Sequence, residues 1–393
     1  METLPRIILK KGKEKPLLRG HPWVFSGAVA KIEGEASPGD LGEVYSKEGL
    51  FLGTGHLNPA SQIILRLLTH KKEPIDIPFF KERILTAARL RETFLKGKTN
   101  AYRIVNGEGD YLPGLIVDRY GEILVVQALT AGMERLKGCL VDLLASDFKP
   151  RSIYERSDAA TRRQEGLSEI SGLLWGKEVS DDMEIEERGC QFQVDVKGGQ
   201  KTGFYLDQRE NRFCLRNLSR GSKVLDCFSY TGAFSIYAAS GGAEEVTLID
   251  SSEEALRRAE EHFHLNDLKQ IPHRFIRGDA FEVLRKLEPG YDIVILDPPP
   301  FAKRKGHLPG ASRGYKDLNL QGLRLLNRGG LLFTFSCSHH VSWDLFQKIV
   351  FSAAVEGERK VQILSRRGQP TDHPISLFHP EGEYLKGFLC RVL

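Results

Sequence analysis

Tyr291-Asp292-Ile293-Val294-Ile295-Leu296-Asp297-Pro298-Pro299-Pro300-Phe301 is an apolar run of strand length that stops in an acid, three prolines and an aromatic ring. Gly329-Gly330-Leu331-Leu332-Phe333-Thr334-Phe335-Ser336-Cys337-Ser338-His339-His340 repeats the plan, with a cysteine between two serines where the apolar residues end. A short continuous apolar run bounded by turn residues reads as a strand buried on both faces, as in a parallel sheet. Two such strands that both stop in chemistry predict one site at the C-terminal edge of that sheet, where open α/β folds bind their ligands.

The neighbouring sequence supports this. Cys190 to Val196 alternates like a strand, and a Gly-rich turn from Gly198 runs into a charged helix that ends near Asn217. Regular alternation follows. Strands are expected over 223–228, 245–250, 274–278, 293–297 and 331–336, and helices over 233–240, 253–265, 280–287, 317–326 and 343–354. That is a doubly wound parallel sheet with helices on both faces. Residues 362–364 and 384–392 fit a closing hairpin at one edge. Upstream, Trp23-Val24-Phe25, 42–45, 50–55 and 62–68 are short strands between Gly, Pro and Asn clusters, as in a small barrel. Residues 71–78 read as a linker, 79–95 as an amphipathic helix, and the stretch to about 156 as α+β. The chain is therefore expected to be multidomain α/β: a β barrel over 1–74, a central α+β domain over 75–188 and a Rossmann-like domain over 189–393.

With 393 residues, 41% apolar and 27% charged, the composition is that of an ordinary globular protein. No apolar run approaches the roughly 20 residues that span a bilayer, and the basic N-terminus lacks a signal-peptide core, so a cytoplasmic protein without membrane contact is expected. The six cysteines form no CxxC pair and no metal spacing, which predicts reduced thiols and no metal. The net charge of +4 is mild, but it is unevenly placed. Residues 1–31 hold seven Lys/Arg against two acids, and residues 301–316 hold Lys303, Arg304, Lys305, Arg313 and Lys316 with no acid. Basic segments of this kind suit solvated loops or a polyanion such as RNA.

Three acids close or follow successive strands: Asp226, Asp250 and Asp279. A small-residue turn, Ser229-Tyr230-Thr231-Gly232, follows the first. No G-x-G-x-x-G is present, so dinucleotide binding is not indicated. Several acids would repel a nucleotide phosphate, but they suit S-adenosylmethionine, with its sulfonium, ammonium and ribose hydroxyls. Ser252 and Asp279 also stand where helix N-caps are expected.

The chain resembles the class I S-adenosylmethionine-dependent RNA methyltransferases of the large-subunit ribosomal RNA cytosine-5 group, which carry an N-terminal PUA domain. The likeness rests on Thr202-Gly203-Phe204-Tyr205-Leu206-Asp207-Gln208-Arg209, Cys227-Phe228-Ser229-Tyr230-Thr231-Gly232, Asp297-Pro298-Pro299, Arg313-Gly314-Tyr315-Lys316-Asp317, Ser336-Cys337-Ser338, and the end from Pro380-Glu381-Gly382 to Lys386-Gly387-Phe388. His21-Pro22-Trp23-Val24-Phe25, Pro38-Gly39-Asp40 and the turn from Gly53 to Gly55 resemble a PUA domain, a small RNA-binding barrel. The resemblance implies that Phe228, Ser229, Tyr230, Asp250, Asp279 and Asp297 line the cofactor, with Thr231, Gly232 and Ser251 in the same turns and Tyr205, Asp207 and Arg209 supporting them. It also implies a ribosomal RNA partner, 23S RNA, and leaves a homodimer open.

By the same resemblance, Cys337 is the nucleophile. Cytosine C5 is a weak nucleophile until a thiolate adds to C6, which is covalent catalysis. Asp297 could bond the cytosine amino group or N3, and Phe301 could stack on a flipped base, with Lys303, Arg313 and Lys316 near the RNA. Many enzymes of this chemistry carry a second cysteine after the proline of the acidic turn; here Pro298-Pro299-Pro300 stands there. Two other functions remain open. One is amino-group methylation of adenine or guanine at the Asp-Pro-Pro-x-Phe turn, and the other is a non-enzymatic RNA-binding assembly factor.

Overall fold

The computed structural model describes residues 4–180, 183–302 and 304–393. Its contacts group the chain into two units, one of residues 1–185, 194–206 and 371–382, the other of 186–193, 207–370 and 383–393. Both units are thus discontinuous in sequence. Regions read as consecutive domains share the first unit.

That first unit contains two sheets with separate cores. Six strands, in the order Trp23–Phe25, Ile63–Thr69, Phe51–Leu57, Leu41–Tyr45, Arg6–Leu9 and Val29–Glu33, surround Ile7, Leu9, Val24, Val44, Leu57 and Leu65. A five-stranded sheet, from Ile170–Gly176 to Ala101–Asn106, packs with helices Ile77–Leu95 and Ala131–Phe148. The returning segment 371–382 is tied in through Arg91. Its buried guanidinium donates to both carboxylate oxygens of Asp110 at 2.7 Å and to the Asp372 carbonyl at 2.8 Å.

The second unit is built on seven strands: β1 (Lys223–Cys227), β2 (Glu245–Asp250), β3 (His273–Arg277), β4 (Tyr291–Leu296), β5 (Leu326–Ser336), β6 (Val361–Arg367) and β7 (Lys386–Val392). They lie in the order β3-β2-β1-β4-β5-β7-β6. The first five are mutually parallel, while β7 runs antiparallel between β5 and β6. Helices α1 (Arg209–Arg216), α2 (Ala233–Ser240), α3 (Glu253–Leu265), α4 (Ala280–Lys286), α5 (Leu308–Leu325) and α6 (Trp343–Glu356) complete the layers. The order of strands reverses at β1, so the edge beyond β1 and β4 is a topological switch point.

The elements follow from local chemistry. The Ser252 hydroxyl caps α3 by accepting from the Ala255 amide, and Ser342 caps α6 through Leu345. Helix α5 begins at Leu308, nine residues before the expected Asp317. Pro309 is tolerated in its first turn, and Ala311, Tyr315 and Leu318 bury an apolar stripe against the sheet. The predicted tail hairpin forms, but its second strand is interior rather than at the edge.

Beneath α1 lies a fully buried charge cluster. The Glu187 carboxylate accepts from Arg209 Nε at 2.9 Å, from Arg212 Nη2 at 2.6 Å and from the Tyr237 hydroxyl at 3.1 Å. Burying one carboxylate between two guanidiniums is tolerable only while every partner is present. Glu187→Ala should therefore cost about 3–5 kcal/mol, because two guanidiniums lose their buried counter-ion. Urea unfolding read by circular dichroism measures this, and an unchanged midpoint would mean that the cluster does not hold α1.

Candidate active site

The parallel register fixes which residues meet at the C-terminal edge. Cys227 pairs with Leu296, and Leu296 pairs with Thr334. Asp226 is thus the penultimate residue of β1, Asp297 comes one residue past β4, and Cys337 one residue past β5.

The turn after β1 is backbone under strain. Phe228 and Tyr230 have φ of 61° and 49°, the left-handed region that side-chain-bearing residues rarely occupy. Gly232 follows at φ 74°, and a Cβ there would lie 2.9 Å from the Ala259 Cβ and 3.0 Å from Leu248 Cδ2. The strained turn is held from β2: the Tyr230 amide donates to Asp250 Oδ2 at 2.8 Å, and the Ser229 amide to the Ile249 carbonyl at 3.0 Å. Asp250 Oδ1 accepts from the Ser252 amide at 2.9 Å. Asp279 caps α4 through the Phe281 amide at 2.8 Å and is exposed beyond that bond.

Asp226 lies under this turn. Its Oδ2 accepts from the Ser235 hydroxyl at 2.7 Å, while Oδ1 is buried without a hydrogen-bond partner, as is the Ser229 hydroxyl. Burial pushes the Asp226 carboxyl up to about 7, and the negative charges of Asp297 and Asp250 add to the rise. A cluster of acids with an orphaned buried oxygen, beneath a turn bent into left-handed conformations, fits a ligand that brings positive charge and donors. S-adenosylmethionine does both, and its ribose hydroxyls suit Asp250.

The other expected residues separate clearly. Asp297 Oδ2 accepts from Gln208 Nε2 at 2.9 Å, and Gln208 in turn accepts from Asn211 Nδ2 at 2.5 Å. Arg367 Nε steadies Asn211 Oδ1 at 3.0 Å. Asp207 accepts from the Tyr384 hydroxyl at 2.7 Å. Arg209, expected beside the cofactor, is instead fully buried on Glu187. Tyr205 belongs to the first unit, where its hydroxyl donates to Gln200. Thr231 and Gly232 are buried in the turn, and Ser251 is exposed beside Asp250. Phe301 packs between Tyr315 and Phe281, with ring centroids at 4.6 and 5.9 Å. Lys316 is paired with Glu356 at 2.5 Å, whereas Arg313 is exposed. Lys303 lies outside the described residues.

The two strand ends that opened the sequence reading do converge. The Cys337 thiol donates to the Pro298 carbonyl at 3.7 Å, which places sulfur beside the Asp297 turn. Cys337 is part-exposed, while Cys227 is fully buried and its thiol is driven well above the ordinary range by burial and by Asp226. The turn around Cys337 is clamped. The Ser338 side chain shares a hydrogen bond with the Tyr315 hydroxyl at 3.0 Å and accepts from the Ala302 amide at 3.3 Å. The sequence places Asp226 among the strand-end acids without marking it as the buried one; it gives no role to Gln208, the holder of Asp297, or to Lys386, whose ammonium donates to the Ser338 carbonyl at 3.0 Å. Among the described residues, no cluster of His, Cys, Asp or Glu could hold a metal, and no helix is long and apolar enough to cross a membrane.

Known proteins resemble the chain over nearly its whole length. Residues 7–70 match the PUA-like domain family, and residues 164–354 match the S-adenosylmethionine-dependent methyltransferase family. The chain is 45% identical to the ribosomal RNA large subunit methyltransferase I of Salmonella arizonae, over 99% of this chain and 98% of that one. It superposes with a TM-score of 0.87 and 27% identity on a structure assigned as a methyltransferase and complexed with S-adenosylhomocysteine, covering 99% of this chain and 100% of that one. A Streptococcus mutans S-adenosylmethionine-dependent methyltransferase structure matches with a TM-score of 0.85, at 27% identity and the same coverage.

The buried acid gives a test with a definite sign. A carboxyl at about 7 in the folded chain holds its proton where the unfolded chain, near its ordinary 3.8, has lost it. Stability therefore falls as pH rises from about 4 to about 7 and stays lowered above that. Asp226→Asn should raise the stability of the cofactor-free protein at pH 8 by roughly a few kcal/mol and leave it nearly unchanged at pH 4, while weakening S-adenosylmethionine binding. Thermal unfolding at the two pH values and calorimetry measure both. A variant no more stable at pH 8 would mean that Asp226 is not a desolvated charge.

Proposed function

Since the chain belongs to the ribosomal RNA large subunit methyltransferase I family, we propose that it methylates carbon 5 of a cytosine in large-subunit (23S) ribosomal RNA, in the cytoplasm, with Cys337 as the nucleophile. The observation that carries this reading is the meeting of the Cys337 thiol with the turn that bears Asp297. A part-exposed thiol at a rigid strand end, one carbonyl from an acid, is what addition to a pyrimidine requires and what amino-group methylation does not.

Bound at the β1 and β2 strand ends, S-adenosylmethionine supplies an electrophilic methyl group. Asp226 balances positive charge from beneath the turn, Asp250 meets the ribose hydroxyls, and Phe228, Ser229 and Tyr230 supply the cradle. Cys337 gives up its thiol proton and its sulfur bonds to C6 of the cytosine, which makes C5 nucleophilic. C5 takes the methyl group as its bond to the sulfonium breaks, leaving S-adenosylhomocysteine; the C5 proton then passes to a base, and the C6–sulfur bond breaks with its electron pair to restore the thiolate. Asp297, oriented by Gln208, bonds the cytosine amino group or N3 and so fixes the ring for attack. Flipping the base out of its stack costs a few kcal/mol, least for an unpaired nucleotide.

RNA contact outside the reacting base is assigned to the PUA-like domain. Lys11, Lys13, Lys15 and Arg19 are exposed on it, as is Phe25, a combination that serves phosphates and an unstacked base.

Cys337→Ala should lower methyl transfer to ribosomal RNA by at least about a thousandfold, since the covalent route is lost, and leave S-adenosylmethionine affinity near that of the wild type. Cys139→Ser, an exposed thiol in the first unit, should be as active as the wild type. The readout is tritium transfer combined with mass spectrometry of the modified nucleoside. An active Cys337→Ala enzyme that yields a methylated amino group would replace this reading with chemistry at the Asp297-Pro298-Pro299 turn.

A further inference from the structure

Lys386 is the one buried lysine among the described residues, 3% exposed, and it stands beside the proposed nucleophile. It opens β7, whose antiparallel pairing sets it opposite Ser336, the last residue of β5. Its ammonium donates to the carbonyl of Ser338, the residue after Cys337. Along β7 it shares the phase of Phe388, Cys390 and Val392, all fully buried, so the alternation of the strand drives a charge inward between two other strands. An ammonium in that position loses its hydration and keeps one carbonyl in exchange. Such a placement destabilises the fold unless a negative charge comes within reach.

We propose that Lys386 is the proton acceptor and counter-ion of Cys337. The proton leaves Cys337 Sγ for the neutral amine of Lys386, producing a thiolate and an ammonium in one step with no change in total charge. The ammonium stays anchored on the Ser338 carbonyl, so it stabilises the thiolate through space and acts as a positioning residue. The proposal rests on the reading of Cys337 as nucleophile.

The charged and titratable groups around the pair support it. Burial lowers the Lys386 ammonium to about 8, against Glu383 on the preceding segment and Cys337 just past β5, both of which favour its charged form. Tyr315, from α5, is raised by burial and stays neutral. His339 lies on the Tyr384 side, with ring centroids 5.7 Å apart. Arg367, on β6, is committed to Asn211 and to the Glu210 carbonyl at 3.0 and 2.8 Å. An amine that gives up its proton near 8 is matched to a free thiol near about 8.5, which is the condition for the proton to be shared.

The test is the alkylation rate of Cys337 by iodoacetamide across pH 5.5 to 9.5 in the full-length protein without RNA, read from the Cys337 peptide by mass spectrometry. In Lys386→Met the rate at neutral pH should fall about tenfold and the midpoint should rise by about one pH unit. An unshifted midpoint in a folded Lys386→Met would overturn the proposal. If that variant does not fold, the reciprocal measurement decides. Coupling between two sites is mutual, so the Lys386 titration, followed by NMR of its side-chain carbons, should fall by a similar amount in Cys337→Ser. An unmoved titration there would equally overturn it. Failure of the functional reading looks different: Cys337→Ala would keep transferring methyl groups whatever the thiol's midpoint.

Discussion

Parallel pairing of β1, β4 and β5 is the constraint on which the rest of the site depends. Because Cys227, Leu296 and Thr334 share one level across the sheet, the three strands run out of partners together. Asp226, Asp297 and Cys337 then reach one edge without any loop having to be long. A slip of one residue in β5 would turn every side chain of that strand to the opposite face and carry Cys337 away from the Pro298 carbonyl. The antiparallel β7 adds to this. A strand that runs opposite to β5 must begin where β5 stops, so its first residue, Lys386, arrives at the chemical edge because of topology.

The electrostatics of the second unit show two solutions to burying charge. At Glu187 the buried carboxylate is paired inside the protein with both Arg209 and Arg212, and the result is a structural clamp. At Asp226 the charge is left short of a partner, and its carboxyl rises to about 7 with Asp297 and Asp250 nearby. The first arrangement stabilises the empty fold. The second costs stability until a positively charged ligand arrives, which is the usual relation between a binding site and its scaffold. The same logic applies to Lys386, a buried cation whose natural complement is a thiolate.

Much of this was legible because periodicity and caps are local. Ala233–Ser240, Glu245–Asp250 and Glu253–Leu265 begin and end where the sequence places them, since apolar spacing, small-residue turns and Ser252 all act within a few residues. The grouping of acids at strand ends was legible too: Asp297 and Asp250 lie near enough to Asp226 to raise its carboxyl. What was not legible depends on distant partners. Arg209 looked like a cofactor residue because nothing nearby in the sequence announces Glu187, which comes from a separate hairpin strand, Met183–Glu187. The early start of α5 was hidden by Pro309, Gly310 and Gly314, whose poor helix propensity is overridden by the packing of Ala311 and Tyr315. Lys386 did carry a signal, its phase with Phe388 and Cys390, but only a strand known to be interior makes that phase mean burial.

The central claim is that a covalent bond forms between Cys337 and the target base, and it can be tested directly. Large-subunit ribosomal RNA bearing 5-fluorocytosine is incubated with the enzyme and S-adenosylmethionine, and the products are separated under denaturing conditions. Fluorine on C5 cannot leave as a cation, so elimination stalls. The account predicts a stable protein–RNA adduct that maps by mass spectrometry to the peptide containing Cys337 and is absent from Cys337→Ala. Methyl transfer to natural RNA with no adduct on the fluorinated substrate, or an adduct mapping to another cysteine, would contradict it.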